Sequence, residues 1–101
     1  MAKLTLQVRT RDNLLELLAK NQTGDWIVAK EKTHHITHVQ VVNWGGTQRI
    51  EGVFDRNDSY YLAPPKANRL LVKFMDGRIV NCNVQFTSDN PVRYISEKPS
   101  A

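Results

Sequence analysis

The chain has 101 residues, enough for one domain and too few for a multidomain enzyme. Hydrophobic residues make up 41% and charged residues 24%, with five glycines and four prolines, a globular profile that excludes the collagen, linker and disordered classes. Fourteen Lys and Arg against ten Asp and Glu give a net charge of +4 and a pI near 9.5, a mild lean toward anionic partners.

Residues 3–9 alternate, with Leu4, Leu6 and Val8 on one side and Thr5, Gln7 and Arg9 on the other, which predicts a half-buried strand. Residues 12–20 place Leu14, Leu17 and Leu18 at helical spacing behind Asp12 as N-cap, with Asn21 to Gly24 closing the helix. So short a helix is marginal alone, and its leucine face is expected to pack on a sheet. From Trp26 onward the chain reads as strands punctuated by Gly, Asn, Asp and Pro, over 25–30, 35–44, 48–55, 60–63, 69–75, 78–87 and 92–96. The predicted fold is α+β: an N-terminal strand and one short helix, then a curved, mostly antiparallel five- to seven-stranded sheet or partly open barrel. One domain is expected over residues 1–96, with a loose tail over 97–101.

Two hairpins can be assigned faces. A two-residue turn at Gly45-Gly46 sets Trp44 against Thr47, Val42 against Arg49, Gln40 against Glu51 and His38 against Val53. Val39, Val41, Ile50, Gly52 and Phe54 then form the core side, and His38, Gln40, Trp44, Arg49 and Glu51 face outward. A second hairpin with a three-residue loop, Met75 to Gly77, pairs Val72 with Val80 and Leu70 with Cys82, apolar against apolar. Its reverse face becomes Leu71, Lys73, Ile79, Asn81, Asn83 and Gln85. The expected core is Leu4, Leu6, Val8, Leu14, Leu17, Leu18, Val39, Val41, Ile50, Phe54, Leu70, Val72, Phe74, Val80, Cys82, Val84 and Phe86.

All three histidines, His34, His35 and His38, fall within five positions. On a helix His34 and His38 could share a metal, but the β-branched neighbours favour a strand, which separates them by roughly 13 Å. No metal or cofactor is therefore expected. A small ribonuclease using these histidines as acid and base, with Arg49 or Lys73 stabilising charge, is one alternative function. Asp55 and Asp58 read as turn-formers, and Gly45-Gly46 lacks the spacing of a phosphate-binding loop. Cys82, the single cysteine, can form neither an internal disulfide nor a multi-thiolate site and is expected to pack as a small hydrophobe in a reducing cytoplasm. No apolar leader precedes Val8 and no apolar run approaches the ~20 residues that span a bilayer, so a soluble protein without membrane partners is expected.

Lys66, Arg69, Lys73 and Arg78 form the strongest local basic run, interrupted by Asp76. Aromatic and amide groups at Trp44, Tyr60, Tyr61, Asn81, Asn83 and Gln85 could stack on bases or bond to their edges. The leading expectation is a nucleic-acid or nucleotide-binding accessory protein without catalysis, using Trp44, Arg49, Arg69, Lys73, Arg78, Asn81 and Asn83. A protein-interaction module, pairing an exposed sheet edge with a peptide or second subunit and anchored by Trp44, is the other alternative.

Overall fold

The computed structural model describes residues 3–97. In chain order the elements are β1 (Lys3–Thr10), α1 (Leu14–Lys20), β2 (Gln22–Ile27), α2 (Lys30–Thr33), β3 (His38–Asn43), β4 (Gln48–Phe54), β5 (Tyr60–Tyr61), β6 (Arg69–Asn81) and β7 (Val92–Glu97). This is a small, mostly sheet domain with few helices, as the α+β reading expects in outline. The seven-stranded sheet runs β2-β6-β4-β3-β1-β7, with β5 also on β6. It is mixed: β1 and β3 are parallel, and the crossover between them carries α1, β2 and α2. Among the described residues no helix is long and apolar enough to cross a membrane. Glu97, placed in the expected tail, ends β7, and the rest of that tail lies outside the described residues.

The helix starts one residue later than expected. Asn13 is the N-cap, accepting from the amides of Leu15 and Glu16, while the Asp12 amide donates to Thr10 Oγ1 at 3.0 Å. Leu14 and Leu17 are buried, and left-handed Asn21 closes the helix. The strand expected from residue 35 begins at His38. Before it, α2 makes one helical turn, and Arg56 donates to the carbonyls of Thr33 (3.3 Å), His34 (2.8 Å) and Ile36 (2.9 Å), fixing this irregular stretch.

The first hairpin has the expected register, with Val42 on Arg49, Gln40 on Glu51 and His38 on Val53. Its turn is wider than two residues. Gly46 N–H donates to the Asn43 carbonyl, and Asn43 Oδ1 accepts from the amides of Thr47 and Gln48, so an Asx-type closure replaces a tight Gly45-Gly46 bend. Gly46 has φ +75°, and a Cβ there would run into the Val84 carbonyl.

The second hairpin does not form. Residues 69–81 are one strand of thirteen residues, and neither Val72–Val80 nor Leu70–Cys82 pairs. The physical reason is a bulge. Asp76, left-handed at φ 55°, and Gly77 together oppose Gly52 of β4, so β6 bends without reversing. Its first half pairs with β2 and β5 and its second half with β4, where Phe74 meets Phe54 and Ile79 meets Ile50. The two halves thus find partners on β2 and β5 and on β4 and need no fold-back. The bend divides the sheet into a main layer (β7, β1, β3, β4, end of β6) and a smaller one (β2, start of β6, β5), curled into a half-barrel.

One buried cluster fills the curl, built from Leu6, Val8, Val39, Val41, Ile50 and Phe54 of the main layer, Leu70, Val72 and Phe74 of β6, and Leu14 and Leu17 of α1. Val28, Ile36 and Val92, which lie in predicted strands but outside the expected core, join it. Val80, Cys82, Val84 and Phe86, expected in the core, are only half-buried outside it. The strand predicted to run to residue 87 stops at Asn81. Beyond it residues 82–91 form a strap that follows the β3–β4 turn through Cys82 N–H to Thr47 O and Val84 N–H to Gly46 O, then leads into β7 beside β1.

The bulge yields a paired prediction. A Cβ on Gly77 would lie 2.7 Å from the buried Phe74 ring and 2.9 Å from Leu18, so Gly77→Ala should lower the unfolding free energy by about 1–3 kcal/mol in urea titrations. Asp76→Gly removes a Cβ from a left-handed residue and should leave stability unchanged or raise it by up to about 1 kcal/mol.

Candidate nucleic-acid interface

Paired residues on neighbouring strands share a face, so the ladders define what the main layer presents away from the core. Three rows cross it: Ile95, Thr5, His38, Val53 and Met75; Arg93, Gln7, Gln40, Glu51 and Arg78; and Arg9, Val42, Arg49 and Val80. Each five-strand row spans roughly 19 Å at about 4.8 Å per strand. The middle row is wholly polar. Gln7 donates to Gln40 Oε1 at 2.9 Å, and Glu51 pairs with Arg49 at 3.2 Å and Arg78 at 3.9 Å. Two buried side-chain atoms on this face, Gln7 Oε1 and Arg49 Nε, have no hydrogen-bond partner among the described residues. Orphaned groups of this kind are costly, and here both sit where arginines gather.

The upper end of the face is a cation–aromatic stack. The Arg9 guanidinium carbon lies 3.9 Å from the Trp44 ring centroid and 4.0 Å from that of Phe86, and Arg11 lies 3.8 Å from Trp44. Arg9 is held there by Nε and Nη2 donating to the Trp44 carbonyl at 3.0 and 2.6 Å. The strap supplies Phe86, and the turn supplies Trp44, which stays 39% exposed. Stacking fixes a guanidinium plane, and in Arg9 two of the edge donors are spent on the Trp44 carbonyl.

Of the seven arginines in the chain, five (Arg9, Arg11, Arg49, Arg78 and Arg93) lie on this face or at its rim. Lys3 adds a sixth cation beside the carboxylates of Glu51 and Asp76, all lining one shallow cleft. Three of the sequence-predicted residues, Trp44, Arg49 and Arg78, belong here. Arg69 and Lys73 lie round the bend, on the outward side of the smaller layer. Arg69 spends Nη1 on the Asp25 carbonyl at 3.3 Å, and Lys73 lines a cleft with Asp55, Asp58 and Asp76. Asn81 pairs with Gln48, in the register of core-facing Ile79, and accepts from its amide at 3.3 Å; Asn83 sits on the strap, bonded to Gln85 at 3.4 Å.

The histidines are divided. His38 lies on the arginine face with Nδ1 2.8 Å from Thr37 Oγ1, whereas His34 and His35 line a separate cleft with Arg56. Among the described residues no group of three His, Cys, Asp or Glu could hold a metal ion. Cys82 Sγ donates to the Gly46 carbonyl at 3.4 Å, a packing role in the strap.

Arg9, Arg11, Gln7, Phe86 and Arg93 are the members that sequence reasoning missed. Arg9 and Gln7 were visible on the polar side of β1, but nothing local signals that Phe86 folds back onto Arg9. Comparisons of the chain with protein-family models, curated proteins and solved structures found no match.

The stack makes an energetic prediction. A double-mutant cycle of Arg11→Met and Trp44→Leu, read by chemical denaturation, should give a coupling of about 0.5–1 kcal/mol. A coupling of zero would mean that the contact orders nothing.

Proposed function

We propose that this protein binds nucleic acid without catalysis, holding a single strand against the outer face of the main layer. The carrying observation is the collection of five of seven arginines on and around one sheet face, beside an exposed, guanidinium-stacked tryptophan. The cations are spread along the face and do not converge on a point, which fits a strand of successive phosphates better than a lone nucleotide. Arg78, with 77% of its side chain exposed and a 3.9 Å ion pair, can turn to a phosphate at little cost.

A single strand fits better than a duplex. Neither described helix suits a major groove: α1 has seven residues and buries Leu14 and Leu17, and α2 has four. Sheet faces with stacking groups suit unpaired bases, which need only a π-surface and a nearby cation. A cytoplasmic site of action, expected from the lone cysteine, belongs to the same proposal.

The test is fluorescence-anisotropy titration of labelled single-stranded RNA, single-stranded DNA and duplex DNA at about 50 and 200 mM salt. Single strands should bind more tightly than duplex, and affinity should fall steeply with salt. Arg78→Ala should reduce the slope of log affinity against log salt by about 0.7, while Lys73→Ala leaves it unchanged. Absent or salt-insensitive binding, with concentration-dependent dimerisation in sedimentation, would instead favour pairing at the edge strands β2 and β7.

A further inference from the structure

Resting on that reading, the geometry points to a base-selective subsite: the cleft beside Arg78, toward the Lys3 end of the face, receives one guanine of the bound strand, and Glu51 reads it. The cleft has a volume of about 190 Å³ and is lined by Lys3, His38, Gln40, Glu51, Asp76 and Arg78 among others. Sites that enclose a whole small molecule run to ~300–1,000 Å³. A smaller, open cleft on a charged face suits one ring of a ligand whose remainder lies outside it.

Glu51 sits in the polar row between Gln40 and Arg78, with 30% of its side chain exposed, Oε2 on Arg49 and Oε1 on Arg78. An ionised carboxylate offers about four acceptor positions, so two pairings leave capacity on both oxygens. Beside it, Gln40 takes the Gln7 amide on its Oε1, which turns the Gln40 amide group toward donation. The row therefore presents a forked acceptor flanked by donors, Gln40 on one side and Arg78 on the other.

That pattern sorts the bases. The Watson–Crick edge of guanine carries two parallel donors, N1–H and the 2-amino group, next to the O6 acceptor. The donors match the carboxylate fork, and O6 meets an amide or guanidinium N–H. Adenine and cytosine each pair one amino donor with a ring-nitrogen acceptor that would face a carboxylate oxygen. Uracil sets its one N–H between two carbonyls. Guanine alone meets the fork without placing an acceptor against an anion.

The experiment uses twelve-residue uridine oligomers, in ribose and deoxyribose forms, with the central position U, A, C or G, read by anisotropy. With the wild-type chain the G oligomer should bind about tenfold more tightly than the others. Glu51→Gln should bring the G-to-U ratio to within about twofold, and Lys73→Ala should keep it. Because Glu51 tethers Arg49, folding is checked by melting; if Glu51→Gln does not fold, Glu51→Asp, which withdraws the carboxylate but keeps its charge, should also lose the ratio. A flat wild-type series, or preference for another base, would overturn the guanine site and leave strand binding standing. A G preference retained in a folded Glu51 variant would overturn the role of Glu51. No binding of any oligomer would overturn this inference together with the reading beneath it.

Discussion

The bend in β6 is the feature on which the rest of the structure depends. A strand of thirteen residues would ordinarily lie in one sheet, but left-handed Asp76 and the missing side chain at Gly77 let it turn while its ladder to β4 continues past Gly52. One strand then belongs to two layers, and the curl between them becomes the core. Phe74, beside the bend and 2% exposed, packs where the layers meet. Because the larger apolar sets of β1, β3, β4 and β6 point into this curl, the opposite side of the main layer carries a polar middle row and its arginines, with Ile95, Val53, Met75, Val42 and Val80 in the rows beside it.

What occupies that opposite side is ordered chemistry and not a loosely solvated surface. Thr5 and Gln7 are 4% and 3% exposed although they face away from the core. Arg49 and Glu51 are half-buried and tied together, and Arg9 is clamped by two rings and a carbonyl. Ordering long arginine side chains costs conformational entropy, so a face that fixes them in advance has removed part of the cost of binding an anion. The strap joins β6 to β7 across this end of the layer and brings Phe86 to the stack. Topology and candidate function therefore share the same short segment.

Much of the fold was readable from local pattern. Alternation in β1, helical spacing of Leu14 and Leu17, and the register from His38 on Val53 to Val42 on Arg49 all follow from side-chain period. The Asp76-Gly77 pair was read as a turn because the same residues serve hairpins and bulges, and only the distant partner β4 decides between them. That single ambiguity moved Val80 out of the core, ended β6 early and separated Lys73 from Arg78. Of the candidate site, Trp44 and Arg49 were accessible to face assignment within the first hairpin, and Arg78 as part of a local basic run. Arg9 was visible on the polar side of β1, but its meeting with Trp44 and Phe86, and the place of Arg93 in the face, arise from the β1–β3 and β1–β7 ladders and the strap, contacts far apart in sequence that leave no periodic trace.

The arginines themselves provide the most direct test. Side-chain Nε–Hε resonances can be followed by NMR while a single-stranded oligomer is added to the intact chain. The account predicts that the signals of Arg9, Arg11, Arg49, Arg78 and Arg93 shift or broaden, while Arg56, capping the turn after α2, and Arg69, on the smaller layer, stay in place. Perturbation centred on Arg69 and the smaller layer, or none at oligomer concentrations well above those of the protein, would contradict it.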